Sequence, residues 1–92
     1  MQYRGRIDIF AEILYIANGG ATRSKLMNGA NLSSAQLDEL SDKLMHSSLL
    51  EYSHADQKFR TTEKGFRLLD DYSELNSISG NKRRFDDLRF YR

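Results

Sequence analysis

A chain of 92 residues with a net charge of +1 and 39% hydrophobic content makes one small domain with a modest core, burying roughly 60 to 65% of its unfolded surface. It has no cysteine, so disulfides and thiolate metal sites are excluded. No apolar run approaches the roughly 18 residues of a membrane span and the N-terminus lacks a signal-peptide core, so a soluble, cytoplasmic protein is expected.

Ile7, Phe10, Ala11, Leu14 and Ala17 recur at helical spacing, with Ile13 widening the stripe, and predict an amphipathic helix over 6–18. Asn18-Gly19-Gly20 ends it, since glycine readily takes the left-handed conformation past a helix end. Thr22 is the expected N-cap of a second helix over 23–28, with Leu26 and Met27 facing inward and Gly29 in the turn beyond. Ser33-Ser34-Ala35-Gln36 reads as a capping box, in which Ser33 and Gln36 satisfy each other's backbone donors. It opens a third helix over 34–47, with Leu37, Leu40, Leu44 and Met45 as the buried stripe. Two helices joined by a tight glycine-bearing turn form a helix-turn-helix, a scaffold that sets a helix in the DNA major groove.

From Leu49 the period changes. Residues 50–53 and 58–61 read as strands around the loop His54-Ala55-Asp56-Gln57, a hairpin of the size of a wing. Alternation sends Phe59 to the core and Lys58 and Arg60 to the other face, where pairing with Glu51 is one use and DNA contact another. Thr61 or Thr62 caps a fourth helix over 63–78, with Phe66, Leu69, Tyr72 and Leu75 nearly on one face and Leu68 and Ile78 beside it. The order helix, helix, helix, hairpin, helix predicts an α+β, mainly α, winged helix-turn-helix over 1–79.

Residues 80–92 form a basic, aromatic extension after Gly80-Asn81. They hold five Lys/Arg against Asp86 and Asp87, whereas 1–79 hold nine Lys/Arg against eleven Asp/Glu. Attraction to nucleic acid must therefore come from local patches and this tail. Burial of Phe85 and Leu88 in a dimer is one reading of the tail, and stacking on nucleic acid is another.

Ile7 to Leu14, Lys25-Leu26-Met27-Asn28-Gly29-Ala30-Asn31-Leu32-Ser33, and Phe59-Arg60-Thr61-Thr62-Glu63-Lys64-Gly65 together resemble an archaeal winged helix-turn-helix family. That family includes the small chromatin-type "ten-a" DNA-binding proteins and archaellum-regulator-like winged helices. The resemblance covers residues 6–76. It implies double-stranded DNA binding by a homodimer, as a transcription regulator or architectural factor. In the family the last helix pairs antiparallel with its partner's copy, which would put Leu69, Tyr72, Leu75, Ile78 and Phe85 at the dimer seam.

Two features depart from the family's pattern. Helix three exposes Asp38, Glu39 and Asp42 against the single cation Lys43, and carboxylates oppose phosphate. Gly80-Asn81 interrupts the last helix, and a heptad through Leu75, Ile78 and Phe85 sets Lys82 at a core position.

The DNA-contacting candidates are Arg23 and Lys25 for phosphate, Ser34 and Gln36 for base edges, Lys43 on helix three, and the wing pair Lys58 and Arg60. The other reading is a protein-interaction module that uses the acidic face of helix three and the basic tail. His46 and His54 have no ligand-spaced partner, and adjacent Asp70 and Asp71 point some 100° apart on a helix. No metal, cofactor or enzymatic activity is expected.

Overall fold

The computed structural model describes residues 5–78, with side chains described through residue 74. The chain runs α1 (Arg6–Ala17), α2 (Arg23–Ala30), α3 (Ser34–His46), β1 (Leu50–Ser53), β2 (Lys58–Thr61) and α4 (Glu63–Ile78). Four helices and a two-stranded antiparallel hairpin make the α+β, mainly α, winged helix-turn-helix arrangement.

The helix starts follow local chemistry. Thr22 Oγ1 accepts the Lys25 amide at 3.2 Å and opens α2. In the capping box of α3, Ser33 Oγ accepts the Gln36 amide at 3.1 Å while Gln36 Oε1 accepts the Ser33 amide at 2.9 Å. Gly19 and Gly20, both at positive φ (92° and 112°), carry the chain out of α1.

The turn after α2 differs from the sequence pattern. Gly29 lies inside α2, and the reversal falls on Asn31, which adopts the left-handed conformation (φ 58°) as C-cap. Asparagine tolerates that region better than other side-chain-bearing residues.

In the hairpin Leu50 pairs with Thr61, Glu51 with Arg60, Tyr52 with Phe59 and Ser53 with Lys58. A third, one-residue edge completes this sheet. Ala21, between α1 and α2, exchanges both backbone hydrogen bonds with Phe59 at 2.8 Å. The wing is thereby fastened to the start of α2.

Ala11, Ile13, Leu14 and Ala17 of α1 pack with Leu26, Leu37, Leu40, Leu44, Leu50, Phe59 and Leu69. Ile7 is the exception to its stripe. It is 64% exposed, because it lines a groove between α1 and α4 that no described residue fills.

The start of α4 is pinned to the α3–β1 connection. Thr62 Oγ1 donates to the Ser48 carbonyl at 2.7 Å and accepts the Gly65 amide at 3.0 Å, and Lys64 Nζ donates to the Ser47 carbonyl at 3.1 Å. A Cβ on Gly65 would lie 2.2 Å from the Leu49 carbonyl oxygen, so a side chain is sterically excluded there. The Thr-Glu-Lys-Gly sequence is thus a cap followed by a close backbone approach.

Candidate nucleic-acid interface

A surface that binds duplex DNA needs cations free to meet phosphates and a helix end narrow enough to enter a groove. The α2–α3 corner supplies the helix end. Arg23, the first residue of α2, reaches across to the first turn of α3. Its Nη1 lies 2.6 Å from Asp38 Oδ1, and its Nη2 donates to Ser34 through the carbonyl at 3.1 Å and Oγ at 2.5 Å. Ser34 and Asp38 are four residues apart and share one helix face, so one guanidinium spans both.

Gln36, expected at base edges, has its side-chain oxygen engaged in the capping box. Lys43 is not brought to this corner. It lies nine residues beyond Ser34, which at 3.6 residues per turn is the opposite side of α3, and it borders the α1–α4 groove with Asp71. Lys25 is exposed on α2.

On the wing, Phe59 is buried as alternation requires, and Lys58 and Arg60 share the other face. Both lie over Gly20: a Cβ built there would be 3.0 Å from Arg60 Nη1 and 3.6 Å from Lys58 Cδ. Arg60 donates to the Gly19 carbonyl at 3.1 Å and pairs with Asp56. The expected partner Glu51 sits opposite Arg60 in the register, yet the guanidinium turns toward the loop carbonyl and Asp56 instead. A hydrogen bond from Ser53 and then the Arg60 contact hold the Asp56 carboxyl below its ordinary 3.8. Gly20, under the wing cations, lies three residues before Arg23, the first residue of α2, so the chain leads from the wing contact directly into the helix corner.

Among the described residues every arginine is in an ion pair: Arg6 with Glu39, Arg23 with Asp38, Arg60 with Asp56 and Arg67 with Glu63. No described lysine is. The planar guanidinium fork suits fixed carboxylate pairing, whereas the exposed ammonium groups of Lys25 and Lys58, on flexible stems, keep their water and their reach, and Lys64 is held by the Ser47 carbonyl. Two of the three carboxylates that make helix three acidic, Asp38 and Glu39, are therefore neutralised within the chain. The carboxylate partners are the residues that residue type alone leaves out. Asp56 and Arg60 had a readable signal in their i,i+4 spacing, but Arg23 and Asp38 meet only through the fold.

The expected dimer residues divide. Leu69 is 6% exposed and belongs to the domain's own core, while Tyr72 is half-buried at the α1–α4 groove. That groove measures about 450 Å³ and is lined chiefly by apolar side chains, including Ile7, Phe10, Leu49, Leu68 and Tyr72. Leu68, at 50% exposure, borders it with Ile7. The side chains of Leu75 and Ile78, Phe85, and the basic extension over 80–92 lie outside the described residues.

The chain belongs to the winged helix-turn-helix family, whose profile matches residues 3–80. No curated protein matches it at a significant level. Membership points to DNA binding in general and to a fold that is typically not enzymatic. No helix among the described residues is long and apolar enough to cross a membrane.

Proposed function

We propose that this chain binds double-stranded DNA as a homodimer, in the role of a cytoplasmic transcription regulator or architectural factor. The first turn of α3 faces the major groove, and Lys58 on the wing, with Lys25 on α2, meets flanking phosphates. The observation that carries this reading is that the Ala21–Phe59 bridge fastens the wing to the start of α2, while Lys58 on the wing and Lys25 on α2 are exposed and in no ion pair among the described residues. Internal neutralisation of Asp38 and Glu39 lowers the electrostatic objection to bringing α3 near phosphate. Ser34 and Gln36 are already engaged within the chain, so few base-reading groups remain and sequence selectivity is weak.

Dimerisation is proposed through the α1–α4 groove, where Ile7 and Leu68 offer apolar surface that a second copy would remove from water. A protein-interaction role through the acidic face of α3 is the weaker reading, since among its carboxylates only Asp42 lacks a described partner.

The test is fluorescence anisotropy of a random-sequence duplex of about 30 base pairs, titrated at about 50 and 200 mM salt. DNA binding predicts micromolar affinity that falls steeply between the two salts. A folded protein that shows no binding at the lower salt would overturn the reading.

A further inference from the structure

On the reading that the α2–α3 corner faces DNA, we infer that Asp38 restrains binding to random duplex by cancelling the charge of Arg23 where a backbone phosphate would otherwise meet it. Three contacts define the arrangement. Asp38 Oδ1 takes Arg23 Nη1 at 2.6 Å, and Ser34 takes Nη2 with its carbonyl at 3.1 Å and its hydroxyl at 2.5 Å.

The two anchors differ in charge. Ser34 is neutral and fixes the guanidinium against the first turn of α3, while Asp38 removes its net charge. Without the carboxylate, the Ser34 bonds still hold the cation at the end of α3 that would enter a groove. The wild-type corner therefore carries a positioned but silenced cation.

The silencing is adjustable because the pair is open to water. The side chains of Arg23 and Asp38 are 41% and 64% exposed. An exposed ion pair is worth only about 0 to 1 kcal/mol, and salt screens it. Phosphate competes for Arg23 on nearly equal terms, but the displaced carboxylate then faces the duplex unpaired. Random DNA gains little from that exchange. A site whose groove offers the Asp38 carboxylate a donor, such as the cytosine amino group, accommodates both partners. Asp38 thereby raises the contrast between such a site and bulk DNA.

Asp42 supplies the internal control. It carries the same charge one turn further along α3 and has no partner among the described residues. Simple removal of negative charge from α3 would make Asp38→Asn and Asp42→Asn equivalent. Restraint through Arg23 makes them different.

The experiment measures affinity for the random duplex at two salt concentrations for the wild type, Asp38→Asn, Asp42→Asn, Arg23→Gln and the Arg23→Gln, Asp38→Asn double variant. Thermal melting confirms that each is folded. Asp38→Asn is expected to tighten binding about threefold to tenfold at low salt and to steepen the log–log salt slope by about one phosphate contact. Asp42→Asn should do less, and in the Arg23→Gln background the effect of Asp38→Asn should shrink to that of Asp42→Asn. Equal gains from the two asparagines, or a gain undiminished without Arg23, would overturn the restraint while leaving DNA binding intact. Weaker binding by Asp38→Asn would also overturn it, because the carboxylate would then be orienting Arg23 for contact. Absence of binding by every folded variant would remove the DNA reading and the restraint together.

Discussion

The corner-and-wing surface and the α1–α4 groove solve the problem of exposure in opposite ways. On the first, each arginine is matched by a carboxylate of the same chain, Arg23 by Asp38 and Arg60 by Asp56. On the second, Ile7 and Leu68 remain 64% and 50% exposed, and apart from Lys43, Ser47, Asp71 and the Tyr72 hydroxyl the lining is apolar. Water can replace a surface ion pair at little cost, so the first surface is exchangeable and suits a ligand that comes and goes. Water cannot satisfy apolar carbon, so the second surface is suited to lasting burial.

The largest expected effect tests how the groove is built. Gly65 lets α4 approach the Leu49 carbonyl, and both α4 and Leu49 wall the groove. Gly65→Ala should cost about 3 kcal/mol or more, since backbone must move to admit the methyl, and thermal melting would register it. Gly29→Ala is the matched control on α2. There the new Cβ meets only the tip of Ile16 at 2.7 Å, and the roughly 1 kcal/mol gain in helix propensity offsets the adjustment. Equal destabilisation by the two would mean that α4 can shift freely, and the groove would not be a fixed feature.

Next in size is the seam. Leu68→Glu should leave melting within about 1 kcal/mol of wild type, because the side chain is already half exposed. In the proposed dimer it should raise the dissociation constant at least about tenfold, equivalent to roughly 1.4 kcal/mol, as read by sedimentation equilibrium. Leu69→Ala reverses the pattern, since its 6% exposure makes it core and its loss costs about 2 to 4 kcal/mol of folding stability. A Leu68→Glu protein that dimerises like wild type would separate the groove from any dimer.

These contrasts also mark what the sequence made legible. Element order, both strands, the bounds of α4 and the capping box follow from local rules, because period, caps and turn residues act over a few positions. Gly29 misleads for a local reason: inside α2 its missing Cβ accommodates Ile16, while Asn31 makes the turn. The candidate cations were legible as residue types, but their states were not. Arg23 and Asp38 meet across two helices and Arg60 bonds Gly19 across 41 positions, contacts that exist only once the chain has folded. Lys43 shows the same limit from the other direction, since the rotation of α3 carries it to the groove.

A smaller effect distinguishes lysine from arginine on the wing. Lys58→Ala should flatten the salt dependence of DNA binding by about 0.9 in log–log slope, one phosphate contact. Arg60→Ala should change the slope less, because Asp56 and the Gly19 carbonyl already hold its guanidinium. Equal changes from the two substitutions would show that the Asp56 pair opens fully on DNA, and the contrast between paired arginines and open lysines would not extend to the bound state.

The smallest effect is a titration. Asp56 is held below 3.8 first by the Ser53 hydrogen bond and second by Arg60. A carboxyl whose folded pKa is depressed contributes stability above its unfolded value, about 3.9, and loses it as pH falls through the folded value. The Asp56–Arg60 contact within the hairpin should therefore hold across neutral pH and weaken only in acid. Carboxyl-carbon NMR shifts should place the Asp56 midpoint under 3.8 in the wild type. Ser53→Ala and Arg60→Gln should each raise that midpoint toward the ordinary value, since each removes a donor that favours the charged carboxylate. A midpoint unmoved by Arg60→Gln would mean that the guanidinium leaves the carboxylate in solution, and the pairing that separates this surface from the groove would not hold at the wing.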